Sequence, residues 1–225
     1  MNRDFAIVFD LDGTLADTAP DLLAALNHCV RDHGFGEFTL TEIGHLVGHG
    51  SIAMIRRAFE LHGAHLPDDV LAELHRGFLD HYEDNMAVHS RLFDGAGELL
   101  ARLAEEGFPL AVCTNKYETM ARKLLGELGI GDCFAAITGG DTFEFRKPDA
   151  RHLERTIDLC NASNGVMIGD TITDADAAKN AGRPLILVDF GYSSQPVNEL
   201  GADRVISHFS QAPDAIGEIV ATRSG

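Results

Sequence analysis

Positive charge is scarce in this chain: 18 Lys and Arg stand against 35 Asp and Glu over 225 residues, a formal charge of -17. Nucleic acid and anionic membrane surfaces both require a basic footprint that neutralises phosphates, so neither is an expected partner. Long apolar runs are missing as well. None approaches a membrane span, and the stretch from Met1 to Phe9 is interrupted by Asp10 before it could form a signal-peptide core. The four cysteines, Cys29, Cys113, Cys133 and Cys160, form no C-x-x-C pair, which argues against a zinc ribbon or a dithiol redox motif. They read as buried thiols of a reducing compartment, and a cytoplasmic location is expected. No internal repeat or low-complexity tract is present.

What remains is a globular chain with 45% hydrophobic residues, enough to bury a substantial core. Short apolar runs that end in polar or Gly-containing segments recur at Phe5–Phe9, Leu110–Cys113, Phe134–Thr138, Gly165–Ile168, Leu185–Val188 and Arg204–Ile206. They have the look of buried parallel strands. Helically spaced segments lie between most of them, such as Met120, Leu124 and Leu128 before a stop at Gly129. Alternating strand and helix predicts a doubly wound α/β core with a parallel sheet.

The rhythm breaks once. From about Asp17 to His89 there is no convincing strand but several helical stretches, including Leu22, Leu26 and Val30 on one face. An inserted helical cap over 17–89 is therefore expected, with the core formed by 1–16 and 90–225 and hinges at the edges of the insertion. Thr18 and Asp21 resemble a capping pair for its first helix, and Pro20 suits a first turn.

The negative charge sets a condition on chemistry. An anionic substrate is repelled by the chain as a whole, so its site must supply positive charge locally, from a metal ion and a few placed Lys or Arg. Asp10-Leu11-Asp12-Gly13-Thr14 follows the first strand directly, where open α/β sheets bind ligands. The i, i+2 spacing lets both carboxylates face one site while Leu11 turns away, and Gly13 allows the backbone to leave sharply. Thr114-Asn115-Lys116, after the strand Leu110–Cys113, offers a hydroxyl and backbone N–H groups for phosphate oxygens. Arg146-Lys147-Pro148 supplies a cation before a helical segment that begins near Asp149. Gly169-Asp170-Thr171-Ile172-Thr173-Asp174 opens the helix Ala175–Ala181, and its two acids can approach one cation. Such oxygen-only ligands, with room for water and phosphate, suit Mg²⁺. Singly, each segment has a plainer explanation: a turn with solvated acids, an ordinary loop, a solvated lysine, or a favourable charge at a helix N-terminus.

In this order and on alternating strands, D-L-D-G-T, T-N-K, R-K-P and G-D-T-x-x-D resemble the four motifs of the haloacid-dehalogenase-like hydrolase superfamily. The resemblance implies that Asp10 is nucleophile and metal ligand and that Asp12 is acid and base, its backbone carbonyl also meeting Mg²⁺. It further implies that Thr114 and Lys147 hold phosphate, that Asp170 is a metal ligand, and that Asp174 is a direct or indirect partner of the ion. Phe9–Leu15, Ala19–Leu22, Val47–Gly50, Gly139–Asp141, Gly191–Ser193 and the Leu200–His208 tail are similar to bacterial phosphoglycolate phosphatases. A small phosphorylated metabolite is the implied substrate, and a monomer or homodimer the expected assembly.

Two readings of the insertion complete the picture. Nine of the eleven histidines fall between His28 and His89, and His45 with His49 has helical metal-pair spacing. No Glu follows His45, and Gly48 and Gly50 disturb the helix, so surface or satisfied histidines are expected. The core motifs offer phosphate contacts, Asn115 among them, but no evident group for a substrate carboxylate. The cap has Gly48-His49-Gly50 and Arg56, a loop and a cation suited to one. Sugar phosphatase, pyrophosphatase and mutase chemistry would use the same core motifs. A phospho-accepting regulatory module needs neither the second Asp nor the cap.

Overall fold

The computed structural model describes residues 4–31, 36–48 and 50–223. Apolar β-branched and aromatic residues fill Phe5–Phe9 (β1), and all five are buried, as a parallel strand covered on both faces requires. The period-2 alternation sorts them. Phe5, Ile7 and Phe9 belong to one hydrophobic layer and Ala6 and Val8 to the other.

The chain then forms the short strand Ala16–Asp17 (β2) and the helices Ala19–Val30 (α1), Leu40–Ile43 (α2), Ser51–Leu61 (α3) and Asp68–Asn85 (α4). It returns through Arg91–Leu92 (β3), Ala96–Glu105 (α5), Leu110–Cys113 (β4), Glu118–Glu127 (α6), Ala136–Thr138 (β5) and Ala150–Leu159 (α7). Asn164–Gly169 (β6), Ile172–Asn180 (α8), Leu185–Val188 (β7), Arg204–Ile206 (β8) and Ala212–Arg223 (α9) complete it.

The main sheet is six-stranded and parallel, in the order β5-β4-β1-β6-β7-β8. One layer carries α5, α6 and α9 through Leu100, Leu124 and Ile216. The other carries α7 and α8 through Leu153, Ile157 and Ala178. Helices on both faces make the fold a doubly wound α/β sheet with an inserted helical cap. The chain leaves β1 for β4 and β5 on one side, then crosses back to β6, β7 and β8 on the other. That reversal puts a ligand crevice at the carboxyl end of β1.

β2 and β3 pair antiparallel, Ala16 with Leu92 and Asp17 with Arg91, and so close the base of the helical insertion. Asp21 ties the same base: its carboxylate accepts from the backbone N–H of His89 at 3.0 Å and from Ser90 N–H and Oγ at 2.8 Å. The expected Thr18–Asp21 capping pair is thereby corrected. Asp21 is spent on the return strand, and Thr18 Oγ1 donates to Asp12 at 2.7 Å, so α1 starts at Ala19, with Pro20 in its first turn, without a side-chain cap.

Element edges shift elsewhere for local reasons. α8 begins at Ile172, earlier than the expected Ala175, because Thr171 and Asp174 form a capping box. β5 loses Phe134 and Ala135 to the turn that precedes it, and β6 gains Asn164 and Gly169. Cys113 and Cys160 are buried and Cys29 half-buried, but Cys133 is exposed because it sits on the surface turn Gly131–Cys133. His62 is a satisfied surface histidine, its Nε2 3.0 Å from Glu42. His49 lies outside the described residues, and the His45/His49 spacing with it. Among the described residues no helix is long and apolar enough to cross a membrane.

Candidate active site

The strands at the switch point deliver the candidate residues as they end. Asp10 follows β1, and its Oδ1 accepts the Leu11 N–H at 2.7 Å and meets Lys147 Nζ at 2.9 Å. Leu11 turns into the main apolar layer and is fully buried, as the i, i+2 pattern anticipates. Gly13 has φ +83°, and a Cβ there would overlap the Asp170 carboxylate. Gly191 meets the same restriction from the other side, so only glycine lets these two loops close around Asp170.

Asp170, fully enclosed after β6, accepts from Thr14 Oγ1 at 2.8 Å and from the Tyr192 backbone N–H at 2.7 Å. The Tyr192 hydroxyl takes the N–H groups of Thr18 and Ala19 and donates to Asp17, linking the loop that holds Asp170 to the base of the insertion. Asp174 divides its oxygens. Oδ2 accepts the Thr171 N–H and hydroxyl at 3.0 and 2.8 Å, and Oδ1 accepts Lys147 Nζ at 2.6 Å. Its helix-capping and site-facing roles therefore coexist in one carboxylate.

Oxygens of Asp10, Asp170 and Asp174 all lie within 4.8 Å of one another, and all three residues are buried. Burial, then the neighbouring carboxylates, push Asp170 well above the ordinary carboxylate range. Burial raises Asp10 to about 7 although Lys147 opposes the shift. For Lys147 itself, burial pulls the ammonium down, but Asp10 and Asp174 outweigh it and hold the group charged.

Asp12 has a separate set of partners: Thr18 Oγ1 at 2.7 Å and Lys116 Nζ at 2.8 Å, both on Oδ1. Thr114, buried after β4, accepts the Lys116 N–H at 3.2 Å, and Asn115 Nδ2 donates to the Lys147 carbonyl at 3.0 Å. The two loops that carry the candidate phosphate contacts are thereby fixed to each other. His152 anchors them from beneath, its Nδ1 accepting the Lys147 N–H at 3.1 Å. Burial, and Lys147 after it, hold this imidazole down to about 3, so it is neutral.

Above these residues a cavity of about 320 Å³ opens between sheet and helical insertion. Asp12, Thr114, Asn115 and Lys116 line it from the core, and Val47, Gly48, Ser51, Arg56 and Tyr82 from the insertion. Arg56 is half-exposed, with its guanidinium 3.5 Å from Asp68. The structure thus brings Asp10, Asp12, Thr114, Asn115, Lys147, Asp170 and Asp174 together and leaves Arg56 at the cavity wall. Three contributors were not singled out by sequence reasoning: Lys116, Tyr82 and His152. Lys116 stood within the T-N-K segment but was read for its backbone alone. Tyr82 and His152 sit in helices, where periodicity reads them as core.

A doubly wound sheet that gathers four carboxylates and two ammoniums at its strand ends, beneath a helical cap, defines a capped α/β enzyme. The chain belongs to the haloacid dehalogenase-like hydrolase family, whose sequence profile matches residues 7–188. It is 45% identical over 218 residues to a phosphoglycolate phosphatase of Agrobacterium fabrum, covering 96% of this chain and 94% of the relative. A phosphoglycolate phosphatase of Mesorhizobium japonicum is likewise 45% identical, covering 97% of both chains. Among solved structures, a predicted phosphoglycolate phosphatase from Haemophilus somnus superposes with a TM-score of 0.89 at 26% identity, covering 96% of this chain and 99% of that one.

Proposed function

We propose that this chain is a Mg²⁺-dependent phosphatase that hydrolyses 2-phosphoglycolate to glycolate and inorganic phosphate through a phosphorylated Asp10. The observation that carries this reading is the separation of partners along β1's end. Asp10 is paired with Lys147 and Asp12 with Thr18 and Lys116, so two carboxylates two residues apart have distinct surroundings. Distinct surroundings suit distinct roles.

Asp10 attacks phosphorus in line, and the bond from phosphorus to the ester oxygen breaks. Asp12 gives its proton to that leaving oxygen, then takes one from the water that attacks the phosphorylated Asp10. Phosphate leaves and Asp10 is restored. Lys147, held charged, balances the transferring group, while Thr114 and Asn115 orient its oxygens. Both Asp10 contacts fall on Oδ1, which directs Oδ2 to the substrate.

The donor set fits a divalent cation: three buried carboxylates share one small volume with Lys147 the ammonium paired to them among the described residues, and burial, with mutual repulsion added, raises Asp10 and Asp170. Asp10, the Asp12 carbonyl and Asp170 would hold Mg²⁺, with Asp174 beside them. Bound there, the ion supplies Lewis-acid neutralisation of phosphate charge.

Residues 17–89 act as the cap that excludes water and selects the leaving group, with Arg56 adding positive potential to the cavity wall. The acidic surface and unpaired cysteines support a cytoplasmic enzyme, monomer or homodimer, that binds neither nucleic acid nor membrane. A substrate panel read by free phosphate should rank 2-phosphoglycolate among the best. Acid quenching should trap phosphate on Asp10, and chelation should stop turnover until Mg²⁺ is restored. A panel led by sugar phosphates or pyrophosphate would replace the substrate, and phosphate trapped elsewhere would replace the mechanism.

A further inference from the structure

We propose that Lys116 recognises the carboxylate of the substrate, so that selection of a short anionic leaving group is built into the core beside Asp12, with Tyr82 of the cap as its support. The inference rests on the phosphoglycolate reading and names the group that makes it specific.

Lys116 is the most enclosed cation on the cavity wall. Its side chain is 6% exposed, against 54% for Arg56, which Asp68 also neutralises in part. Arg146, the third cation in the wall, is exposed. An ammonium has three N–H donors. Lys116 directs them to the two Asp12 oxygens at 2.8 and 3.1 Å and to the Tyr82 hydroxyl at 2.9 Å. The longer contact, to Asp12 Oδ2, is the donor that a substrate carboxylate in the cavity can take over. Tyr82 accepts from Lys116, and among the described residues its own O–H has no acceptor, which gives a second donor at the same spot. Burial pushes that phenol up to about 12, so it keeps its proton. Lys116 stays charged because Asp12 outweighs burial.

Geometry matches this pair to glycolate. Asp12 must lie within about 3 Å of the ester oxygen to protonate it. In phosphoglycolate the carboxylate is two bonds from that oxygen, placing its oxygens roughly 3–4 Å away by ordinary bond lengths. Lys116 Nζ, 2.8 Å from the Asp12 oxygen, is within reach of a group at that distance. A charge several carbons further along a sugar phosphate falls beyond it. The simpler role, holding Asp12 in place, predicts no dependence on the leaving group's charge.

The test compares 2-phosphoglycolate with ethyl phosphate, which keeps the ester oxygen and the two-carbon length but replaces the carboxylate by a methyl group. The wild type should prefer phosphoglycolate in kcat/KM. Lys116→Met should lose about 10- to 100-fold of that preference, the weight of a charge-assisted contact, and Tyr82→Phe about 2- to 10-fold. Inhibition by inorganic phosphate should survive in both variants, showing an assembled site. Equal losses on both substrates would reduce Lys116 to a positioning residue for Asp12 and overturn the inference. If Lys116→Met does not fold, an unchanged preference in Tyr82→Phe overturns it instead. A wild type with no preference defeats the substrate reading itself, and that result is visible before any substitution is made.

Discussion

The strand-end floor of the site and the helical roof of the cavity above it are built differently. On the floor Asp10, Asp170, Asp174 and Lys147 are all at most 3% exposed, and each is fixed by partners from another loop. On the roof Arg56 is half in solvent, and its partner Asp68 is almost fully exposed. A buried charge held by several contacts leaves few alternative geometries, whereas a solvated ion pair contributes little and rearranges readily. The floor is suited to fixed chemistry and the roof to contacts that can adjust.

The largest expected effect tests the floor. Asp10→Asn should reduce turnover by roughly 10,000-fold or more, because the other carboxylate after β1, Asp12, is held by Thr18 and Lys116 in different surroundings. Asp12→Asn should lose about 100- to 10,000-fold, the range of a general acid and base, and should still accept phosphate from an activated aryl phosphate whose leaving group needs no proton. Quenched-flow measurement of phosphate on Asp10 separates the two. Similar kinetics for both variants with the aryl substrate would erase the division of labour along β1.

The contrast between floor and roof also governs what sequence could reveal. Motif residues of the floor were legible because strands fully buried on both faces read as short apolar runs, and the chemistry starts where each run stops. β1, β4, β7 and β8 accordingly match the expected runs. Asp174 was legible as a favourable charge in the first turn of α8, because that spacing is local. Long-range partnerships were not. Lys116 reaches Tyr82 across 34 positions and Tyr192 reaches Thr18 across 174, and no local pattern encodes such distances. Thr18 and Asp21 misled because other partners outcompeted the cap: Asp12, just across the turn, for Thr18, and Ser90, 69 positions away, for Asp21.

A second prediction compares buried histidines of the two regions. His152 in the core is held down to about 3, whereas an unfolded chain binds that proton near 6.5. Below about pH 6.5 the unfolded state gains a proton that the folded state refuses, so the stabilisation is complete above that pH and disappears as pH falls toward 3. The stability gap between wild type and His152→Gln should therefore narrow by on the order of 2 kcal/mol between pH 7 and pH 5. Asp10 and Asp170 have the opposite sign, which is why the gap and not the raw curve is the readout. His75 of the cap, 2.8 Å from Ser51 and lowered by burial, should show the same sign and a smaller change in His75→Gln. Urea unfolding of metal-free protein at both pH values measures the pair. A larger effect at His75 would make the roof, in this respect, as rigid as the floor.

The smallest effect is expected at Arg56, where the comparison is sharpest. As a cation in the cavity wall it can contact an anionic substrate, but half of its side chain is solvated and Asp68 already shares its charge. A screened contact of this kind contributes about 0.2–1 kcal/mol. Arg56→Ala should then raise KM for phosphoglycolate by no more than about fivefold, leave kcat in place, and lose even that effect at high salt. Lys116, enclosed and touching Asp12, should be far less sensitive to salt. Steady-state kinetics of both variants at about 0.05 and 1 M salt distinguishes the two cations, because the Debye length falls to roughly 3 Å at the higher concentration. An Arg56→Ala defect as large as that of Lys116→Met, and equally indifferent to salt, would transfer leaving-group selection from the floor to the roof.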